Sequence, residues 1–310
     1  MRNIIILILI LATLLCGSVS YTLNRDAYNS VYRIFTTIDS SGTRSEVMTS
    51  KPFELAITMG QVSGYSSLYT FGENNSVAIG NEDIWDGSSL YIYDTNGTAP
   101  IKYLISDSTA DTVNIRVTGL DSAGNEVIQS AVLNGDTTVV LSTPLWRVYR
   151  MENIDSTDLI GNVYCSIDSA GVPVIGDTRA MIVNGNNRTL MALYTIPKGK
   201  VGFLYRGEAG IQLHGTGASS TTQFAKVLYK SRRYGGVFNI RRVGSLMVGG
   251  TSIFQDNRSF PDVIPALTDI KMHVESVTEE MGAWATFDIL LIDESYFPVS
   301  YLQAIGQPGY

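Results

Sequence analysis

Cysteine, histidine and charged residues are all scarce in this sequence, and each shortage excludes a class of function. Two cysteines in 310 residues allow neither a disulfide framework nor a cysteine-based zinc site. Two histidines cannot form a three-histidine metal site. Charged residues make up 16% of the chain, against about 25% in an average soluble domain, so much of the polar surface must come from Ser, Thr and Asn. With 29 glycines, this composition favours strands joined by tight turns over helices with charged faces.

Sequence motifs of catalysis are missing as well. The chain contains no Gly-x-Ser-x-Gly nucleophile elbow, no phosphate-binding loop and no complete dinucleotide-binding fingerprint. His273 falls on the polar face of a predicted strand beside Lys271 and Glu275, whereas His214 falls in a glycine-rich loop. We therefore expect a protein that is not an enzyme, with no catalytic residues, no metal site and no cofactor.

Trp85 is flanked by carboxylates, a pattern with two interpretations. It lies beside Asp83 and Asp86, so it could line a sugar-binding site. The simpler interpretation, which we prefer, is that its aromatic ring anchors a turn.

The first twenty residues form a hydrophobic leader. A basic Met1–Asn3 start precedes an apolar run from Ile4 to Cys16, and the small residues Ser18 and Ser20 follow. This is the layout of a secretory signal peptide, and the apolar run is short for a membrane span. We predict that residues 1–20 are a signal peptide or, if retained, a membrane-anchoring segment.

After the leader, short alternating runs predict strands, and recurring turn motifs separate them. The runs at 113–118, 270–275 and 285–291 alternate apolar and polar residues, and 90–93 is a further candidate strand. Asp-Ser-x-Gly motifs begin at 39, 121 and 168, where an Asp side chain can bond the backbone ahead of a positive-φ glycine. Cys165 is predicted to be a small buried hydrophobe within a strand.

The spacing of these strands predicts an all-β chain with two β-sandwich, jelly-roll-like domains. A polar lead-in covers 21–44, the first domain 45–170 and the second 176–295. The border is set where Gly171, Pro173 and Gly176 interrupt the strands. An aromatic C-terminal tail, 296–310, is expected to dock on a surface.

A basic block is the one unusual charge feature of a chain whose net charge is −7. No Asp or Glu occurs between 209 and 255, although six cations lie there. The block could face nucleic acid, but pairing with an acidic surface of a neighbouring subunit, or a plain solvated face, is favoured because the rest of the chain is acidic. The candidate subunit-interface patch consists of Lys226, Lys230, Arg232, Arg233, Arg241 and Arg242.

Two stretches resemble virion structural proteins of environmental bacteriophages and other double-stranded DNA viruses. The first is "VNIRVTGLDSAGNEVIQSAVLNGDTTVVLSTPLWRVYRM" at 113–151. The second begins with "TLMALYTIPKGKVGFLYRG" at 189–207 and continues through "TDIKMHVES" and "WATFDILLID" near the C-terminus. The resemblance spans roughly residues 60–295 as a similarity of layout, and it implies a β-sandwich or jelly-roll subunit at the virion surface, as capsid or decoration protein. The hydrophobic leader departs from ordinary tailed-phage shells and favours a membrane-associated particle or an exported relative.

Three functions follow as expectations. The first is a virion structural protein that forms a homotrimer or larger assembly, contacts other virion proteins and touches a membrane through residues 1–20; nucleic acid is not expected as a partner. The second is a secreted or surface-anchored binding module for glycans or a receptor, since exposed Tyr and Trp rings provide flat stacking surfaces. A secreted hydrolase is the third.

Overall fold

The chain is all-β, as its composition and periodicity predicted. The computed structural model describes residues 30–38, 44–213, 223–248, 251–276 and 280–309. The predicted leader, most of the lead-in, the Asp-Ser-x-Gly turn at 39–42 and His214 lie outside the described residues. The chain divides after Ser66 into two compact units.

The described residues form eighteen strands and two short α-helices. The strands are β1 (Ser30–Ile38), β2 (Arg44–Pro52), β3 (Tyr65–Val77), β4 (Gly80–Asp83), β5 (Ile101–Ser106), β6 (Asn114–Leu120), β7 (Glu126–Val132), β8 (Val139–Leu145), β9 (Arg147–Asn153), β10 (Val163–Ser166), β11 (Thr178–Ile182), β12 (Leu193–Thr195), β13 (Lys200–Leu213), β14 (Gln223–Arg232), β15 (Asn239–Val248), β16 (Thr251–Ile264), β17 (Asp269–Ser276) and β18 (Met281–Asp293). The helices are α1 (Phe53–Thr58) and α2 (Val299–Ile305), and a 3₁₀ turn spans Glu294–Tyr296.

The first unit is a hairpin followed by a helical turn. Strands β1 and β2 pair antiparallel along their full length, from Ser30 opposite Pro52 to Ile38 opposite Arg44. Helix α1 follows directly and buries Ala56 and Ile57.

The second unit is built around two facing antiparallel sheets. One sheet has the order β16-β13-β18-β3, and the other has β12-β17-β14-β15 with β4 also paired to β17. Strands β4 and β12 occupy one strand position beside β17, since β4 pairs with its 273–276 end and β12 with its 269–271 end. If β4 and β12 count as one strand, the two sheets contain eight strands. Numbered in chain order, these strands lie in the order 1-8-3-6 in the first sheet and 2-7-4-5 in the second, which is the topology of a jelly roll.

A second β-structured region is inserted between β4 and β12. The chain leaves the jelly roll after Ile84 and returns at Ala192, whose amide donates to the Ile84 carbonyl at 2.9 Å. Between them lie two sheets of order β11-β10-β5-β8 and β7-β6-β9. We call residues 85–191 the inserted region.

Each region has its own apolar core. The jelly-roll core includes Val227, Met272, Ala283 and Phe287 from the facing sheets. The core of the inserted region includes Leu104, Ile115, Val163 and Ile182. The predicted border near 170–176 coincides with the loop between β10 and β11, which pair with each other in one sheet. The two cores are not strictly separated along the chain, since Leu120, Trp146 and Tyr149 of the inserted region pack in the jelly-roll core.

The predicted turns are present where the structure describes them. Asp121 Oδ1 accepts hydrogen bonds from the amides of Ala123 and Asn125, both at 2.9 Å, and Gly124 adopts φ +84°. Asp168 Oδ1 accepts in the same way from Ala170 at 3.0 Å. Side-chain acceptors and positive-φ glycines therefore terminate strands as the motif indicated.

The strand predicted at 90–93 is wrong, whereas the others are confirmed. Residues 90–93 carry no ladder, because this segment crosses over a cluster of buried charges and its amides are used there. Tyr91, for example, donates its N–H to the Asp83 carboxylate at 2.8 Å. Alternation alone could not distinguish this irregular strap from a strand.

The aromatic tail docks on its own jelly roll. Phe297 stacks on Phe203 and Tyr301, with ring centroids 6.0 and 5.2 Å apart. Gln307 is buried; its Oε1 accepts from the Ala266 amide at 2.9 Å and its amide donates to the Lys200 carbonyl at 3.2 Å. These bonds fix the end of the chain against the sheet edge.

Candidate functional site

Strand β17 brings three ionisable side chains to one face of its sheet. Its Ile270, Met272 and Val274 face the jelly-roll core, so Asp269, Lys271 and His273 share the opposite face. Although that face is polar, all three residues are buried, and His273 is only 2% exposed. Ionisable groups at such burial require partners.

Asp83 is the partner of two of them. Strand β4 places it opposite His273, whose Nδ1 lies 2.8 Å from Asp83 Oδ1, and Lys271 Nζ donates to Oδ2 at 2.8 Å. Burial acts to raise the pKa of Asp83, but the hydrogen bond from His273 and the positive charge of Lys271 lower it below its ordinary value. The carboxylate is therefore held ionised within the sheet.

Asp269 joins the jelly roll to the inserted region. Its carboxylate accepts from Arg147 Nε of β9 and Arg232 Nε of β14, both at 3.0 Å, and from Thr195 Oγ1 at 2.7 Å. Arg147 lies in the inserted region and Arg232 in the jelly roll. This carboxylate is therefore a structural bond between the two regions.

Aromatic rings complete the cluster. The Arg147 and Arg232 guanidiniums lie 5.1 and 4.8 Å from the centroid of the Tyr93 ring. Phe238 packs against Tyr93 at 5.0 Å and lies 4.7 Å from Lys271 Nζ. Cation–π contacts of this kind stabilise charges that have lost their water. We call Asp83, Asp269, Arg147, Arg232, Lys271, His273 and Tyr93 the buried charge cluster.

The chemistry open to this cluster is structural. A His–Asp pair is also part of hydrolytic triads, but a general base must reach the proton of a substrate. His273 Nε2 is buried and has no hydrogen-bond partner among the described residues. The His273 side chain is therefore held in place by its pairing with Asp83 of the neighbouring strand.

The predicted basic patch is divided between two environments. Arg232 belongs to the buried charge cluster, and Lys230 lies half-buried near Lys271, where burial and the neighbouring charge lower its pKa. Lys226 is exposed on the same face, opposite Glu275 in the ladder. Of the six predicted residues, these three lie on the outer face of β14.

The other three residues surround an open cavity. Arg233, Arg241 and Arg242, together with Ser231, Asp262 and Thr268, line a space of about 230 Å³ that we call the arginine cavity. Arg241 Nε donates to Ser231 Oγ at 2.9 Å, and Arg242 Nε lies 3.4 Å from Asp256. Within the described ranges neither Arg233 nor Arg241 forms an ion pair. Three guanidiniums thus converge on a site with few carboxylates.

Thr268 adds a polar group to the same cavity. The residue is only 2% exposed, and its hydroxyl has no hydrogen-bond partner in the described part of the chain. A buried hydroxyl without a partner is costly, so a group that accepts from it would be stabilised there. The arginine cavity is therefore suited to a carboxylate or another oxyanion.

A bulge of β16 exposes a phenylalanine that is close in sequence to residues lining this cavity. The ladder with β13 is interrupted between Asn257 and Asp262, and Phe260 in the interruption is 88% exposed. Arg258 turns inward instead, forming ion pairs with Asp256 and Asp262 and packing over Tyr229 at 5.4 Å. The bulge is thus anchored from within while Phe260 projects outward. Sequence reasoning missed Phe260, because nothing in the alternation reveals which residues a bulge leaves unpaired.

The other candidate residues are structural. Trp85 is 1% exposed and its Nε1 donates to the Ser89 carbonyl at 2.9 Å, which confirms the turn-anchoring interpretation. Cys165 is buried as predicted, and burial raises the pKa of its thiol to about 12. None of the helices in the described ranges is both long enough and apolar enough to span a bilayer.

Comparison with known proteins identifies no family. Neither the protein-family models nor the curated proteins contain a match to this chain. Among solved structures, the chain is similar to the naturally empty top-component particles of cowpea mosaic virus, with 9% identity over 63% of this chain and 82% of that chain and a TM-score of 0.19.

Two further solved structures show a similar level of likeness. The VP2 subviral particle of infectious bursal disease virus is 10% identical over 86% of this chain and 69% of that one, with a TM-score of 0.18. The tandem CBM22 domain from Paenibacillus barcinonensis is 10% identical over 75% and 92%, with a TM-score of 0.21. Viral particle proteins are thus among the neighbours, but scores this low assign no relative. The class defined by the fold itself is a jelly roll that carries an inserted β region.

Proposed function

We propose that this chain is a virion structural protein, a capsid or capsid-decoration subunit that assembles symmetrically with copies of itself, and that it is not an enzyme. The observation that carries the proposal is the outward-projecting Phe260 on the same strand as residues that line the arginine cavity. Exposed aromatic rings and arginines are both enriched at interface centres. The double-sheet jelly roll is an architecture used by viral capsid domains, and by lectins and other proteins as well.

Two edge strands of the jelly roll carry further exposed apolar side chains. Strand β15 is an edge strand in its sheet, and β16 is an edge strand in the facing sheet. Both strands expose large apolar side chains, namely Ile240, Val243 and Met247 of β15 and Ile253, Phe260 and Val263 of β16. A monomer that exposes so much apolar surface along two edges is prone to association.

The distribution of charge supports a second copy of this chain as the partner. The inserted region and its flanking residues, 85–192, contain twelve Asp and Glu against six Lys and Arg. The basic block on β14 and β15 contains no acidic residue between 209 and 255. The arginine cavity of one copy is therefore complementary in charge to the inserted region of the next, and a head-to-tail contact of this kind builds a ring when its rotation closes.

Light scattering coupled to size exclusion tests the proposal on the full chain. We expect a trimer or larger closed assembly that dissociates as salt is raised, because exposed charges are screened. Arg233→Glu with Arg241→Glu reverses two cations that have no ion pair in the described structure, and it should weaken association by about tenfold or more. Arg232 is unsuitable for this test, because its substitution disturbs the buried charge cluster.

A matched pair of charge reversals elsewhere provides the control. Lys198→Glu with Arg206→Glu changes the net charge equally at exposed cations outside both the arginine cavity and the inserted region, and should leave the assembly intact. A wild-type chain that stays monomeric over a wide concentration range contradicts self-assembly. Equal weakening by both double variants contradicts the assignment of the interface to the arginine cavity.

A further inference from the structure

The outer face of the other jelly-roll sheet carries a groove of different composition. On β18, alternation sends Ala283, Ala285 and Phe287 into the core and turns Trp284 and Thr286 outward. The groove has a volume of about 420 Å³, and its lining includes Tyr69, Phe71, Glu73, Leu190, Trp284 and Thr286. We call it the aromatic groove.

Trp284 forms a flat platform in this groove. The ladder between β13 and β18 places Trp284 opposite Gly210. A Cβ at position 210 would lie 2.5 Å from both Nε1 and Cε2 of the indole, so the ring covers this glycine. Only glycine leaves room for the indole to lie there, and the Trp284 side chain is partly exposed.

Two further rings stand beside this platform on β3. Tyr69 and Phe71 have ring centroids 5.7 Å apart, and Tyr69 is 54% exposed. The Arg188 guanidinium lies 4.6 Å from the Phe71 ring, and Arg150 Nη2 donates to the Tyr69 carbonyl at 3.1 Å. The Phe71 ring and the Tyr69 backbone are thus both held by side chains of the inserted region.

Hydrogen-bonding groups lie next to these rings. The Glu73 carboxylate and the Thr286 hydroxyl line the groove, and Gln212 Nε2 lies 3.4 Å from Glu73 Oε1. Asp86, which accepts the Leu190 amide, is largely buried, and burial together with the charge of Glu73 raises its pKa to about 8. The groove therefore offers aromatic faces, acceptors and donors within one space.

We propose that the aromatic groove binds a neutral saccharide, with one sugar ring stacked on Trp284 and its hydroxyl groups hydrogen-bonded to Glu73 and Thr286. A sugar ring presents a face of C–H groups to an aromatic ring and hydroxyl groups at its edge, which matches this division of surface. The volume is within the range of small-ligand sites, about 300–1,000 Å³. This activity goes beyond the assembly proposed above and uses a different sheet.

Tryptophan fluorescence gives a direct readout. The chain has three tryptophans, and Trp85 and Trp146 are each 1% exposed, so Trp284 is the one that an added ligand can reach. Titration of the full chain with cellohexaose, maltohexaose and the N-acetylglucosamine hexamer should give a saturable fluorescence change with at least one of them. No saturable change with any of the three, confirmed by calorimetry, would falsify the proposal.

Substitutions assign the binding to the groove. Trp284→Ala should weaken the affinity measured by calorimetry by about tenfold or more. Trp284→Phe keeps a stacking ring, so it should bind within a few-fold of wild type while losing the fluorescence change. Phe224→Ala removes an exposed ring from the opposite sheet and should change neither quantity. Unchanged affinity in a folded Trp284→Ala variant overturns the assignment, whatever the oligomeric state.

Discussion

Arg232 and Arg241 belong to neighbouring strands of one sheet, yet their guanidiniums lie in opposite environments. Arg232, together with Arg147, bonds the buried carboxylate of Asp269. Arg241 is exposed at the arginine cavity, donates to Ser231, and forms no ion pair within the described residues. One arginine completes the interior of the chain, whereas the other is available to a partner.

The difference shows that burial, more than residue type, decides what a charge does. A buried charge has lost its water and is stable only with a partner at bonding distance, so it fixes the strands that carry it. An exposed charge keeps its water and contributes little to folding, so it remains available for recognition. Substitutions in the two environments should therefore affect different measurements.

The largest expected effect is at Asp269. Asp269→Ala leaves the buried Arg147 and the partly exposed Arg232 without their carboxylate, and it should lower the free energy of unfolding by about 3–5 kcal/mol. Chemical denaturation measures this change. Asp136→Ala removes an exposed carboxylate of the inserted region and should stay within about 0.5 kcal/mol of wild type. If the two variants were equally stable, the buried charge cluster would not hold the two regions together.

An intermediate effect is expected at Asp83, and it depends on pH. Since the folded state lowers the pKa of Asp83 below 3.8, its stabilisation is present above about pH 4 and is lost as the pH falls through the lower, folded-state value. Asp83→Asn should lower the free energy of unfolding at pH 7 by about 1.5–3 kcal/mol. Denaturation at pH 7, 5 and 3 should show a smaller acid loss for the variant than for wild type. Parallel pH profiles would rule out this contribution.

The smallest effect on folding is expected at Phe260. Because its side chain is exposed on an anchored bulge, Phe260→Ser should change the free energy of unfolding by no more than about 0.5 kcal/mol. The same variant should weaken self-association in light scattering, where Ile79→Ser, another exposed apolar residue of the jelly roll, should not. If Phe260→Ser lowered the free energy of unfolding but left self-association unchanged, Phe260 would act in folding and not in recognition.

Much of the local structure was predictable from the sequence. Alternation located β6, β17 and β18, and the Asp-Ser-x-Gly motifs at 121 and 168 located turns, because these signals depend on neighbours along the chain. The segment 90–93 was wrongly predicted to be a strand, because the Tyr91 amide bonds a side chain of β4. The outcome at this segment depends on a contact that no local pattern encodes.

The candidate sites were harder to predict than the strands. The basic block was visible as composition, but its division between the buried charge cluster and the arginine cavity depends on where β9 and β17 lie. The pairing of Asp83 with His273 joins residues 190 positions apart. Phe260 and the aromatic groove carry no sequence signal, because a bulge and an indole lying across Gly210 are both defined by a neighbouring strand.

The sequence by itself determined that the chain is all-β, poor in helices and metal ligands, and locally punctuated by Asp and Gly turns. These properties follow from composition and from a two-residue period, which act within a few residues. Only the tertiary structure decided that the jelly roll is split between β4 and β12, that the inserted region is bonded to it through Asp269, and which arginines stay exposed. The physical reason is that burial and the pairing of charges are set by residues far away along the chain.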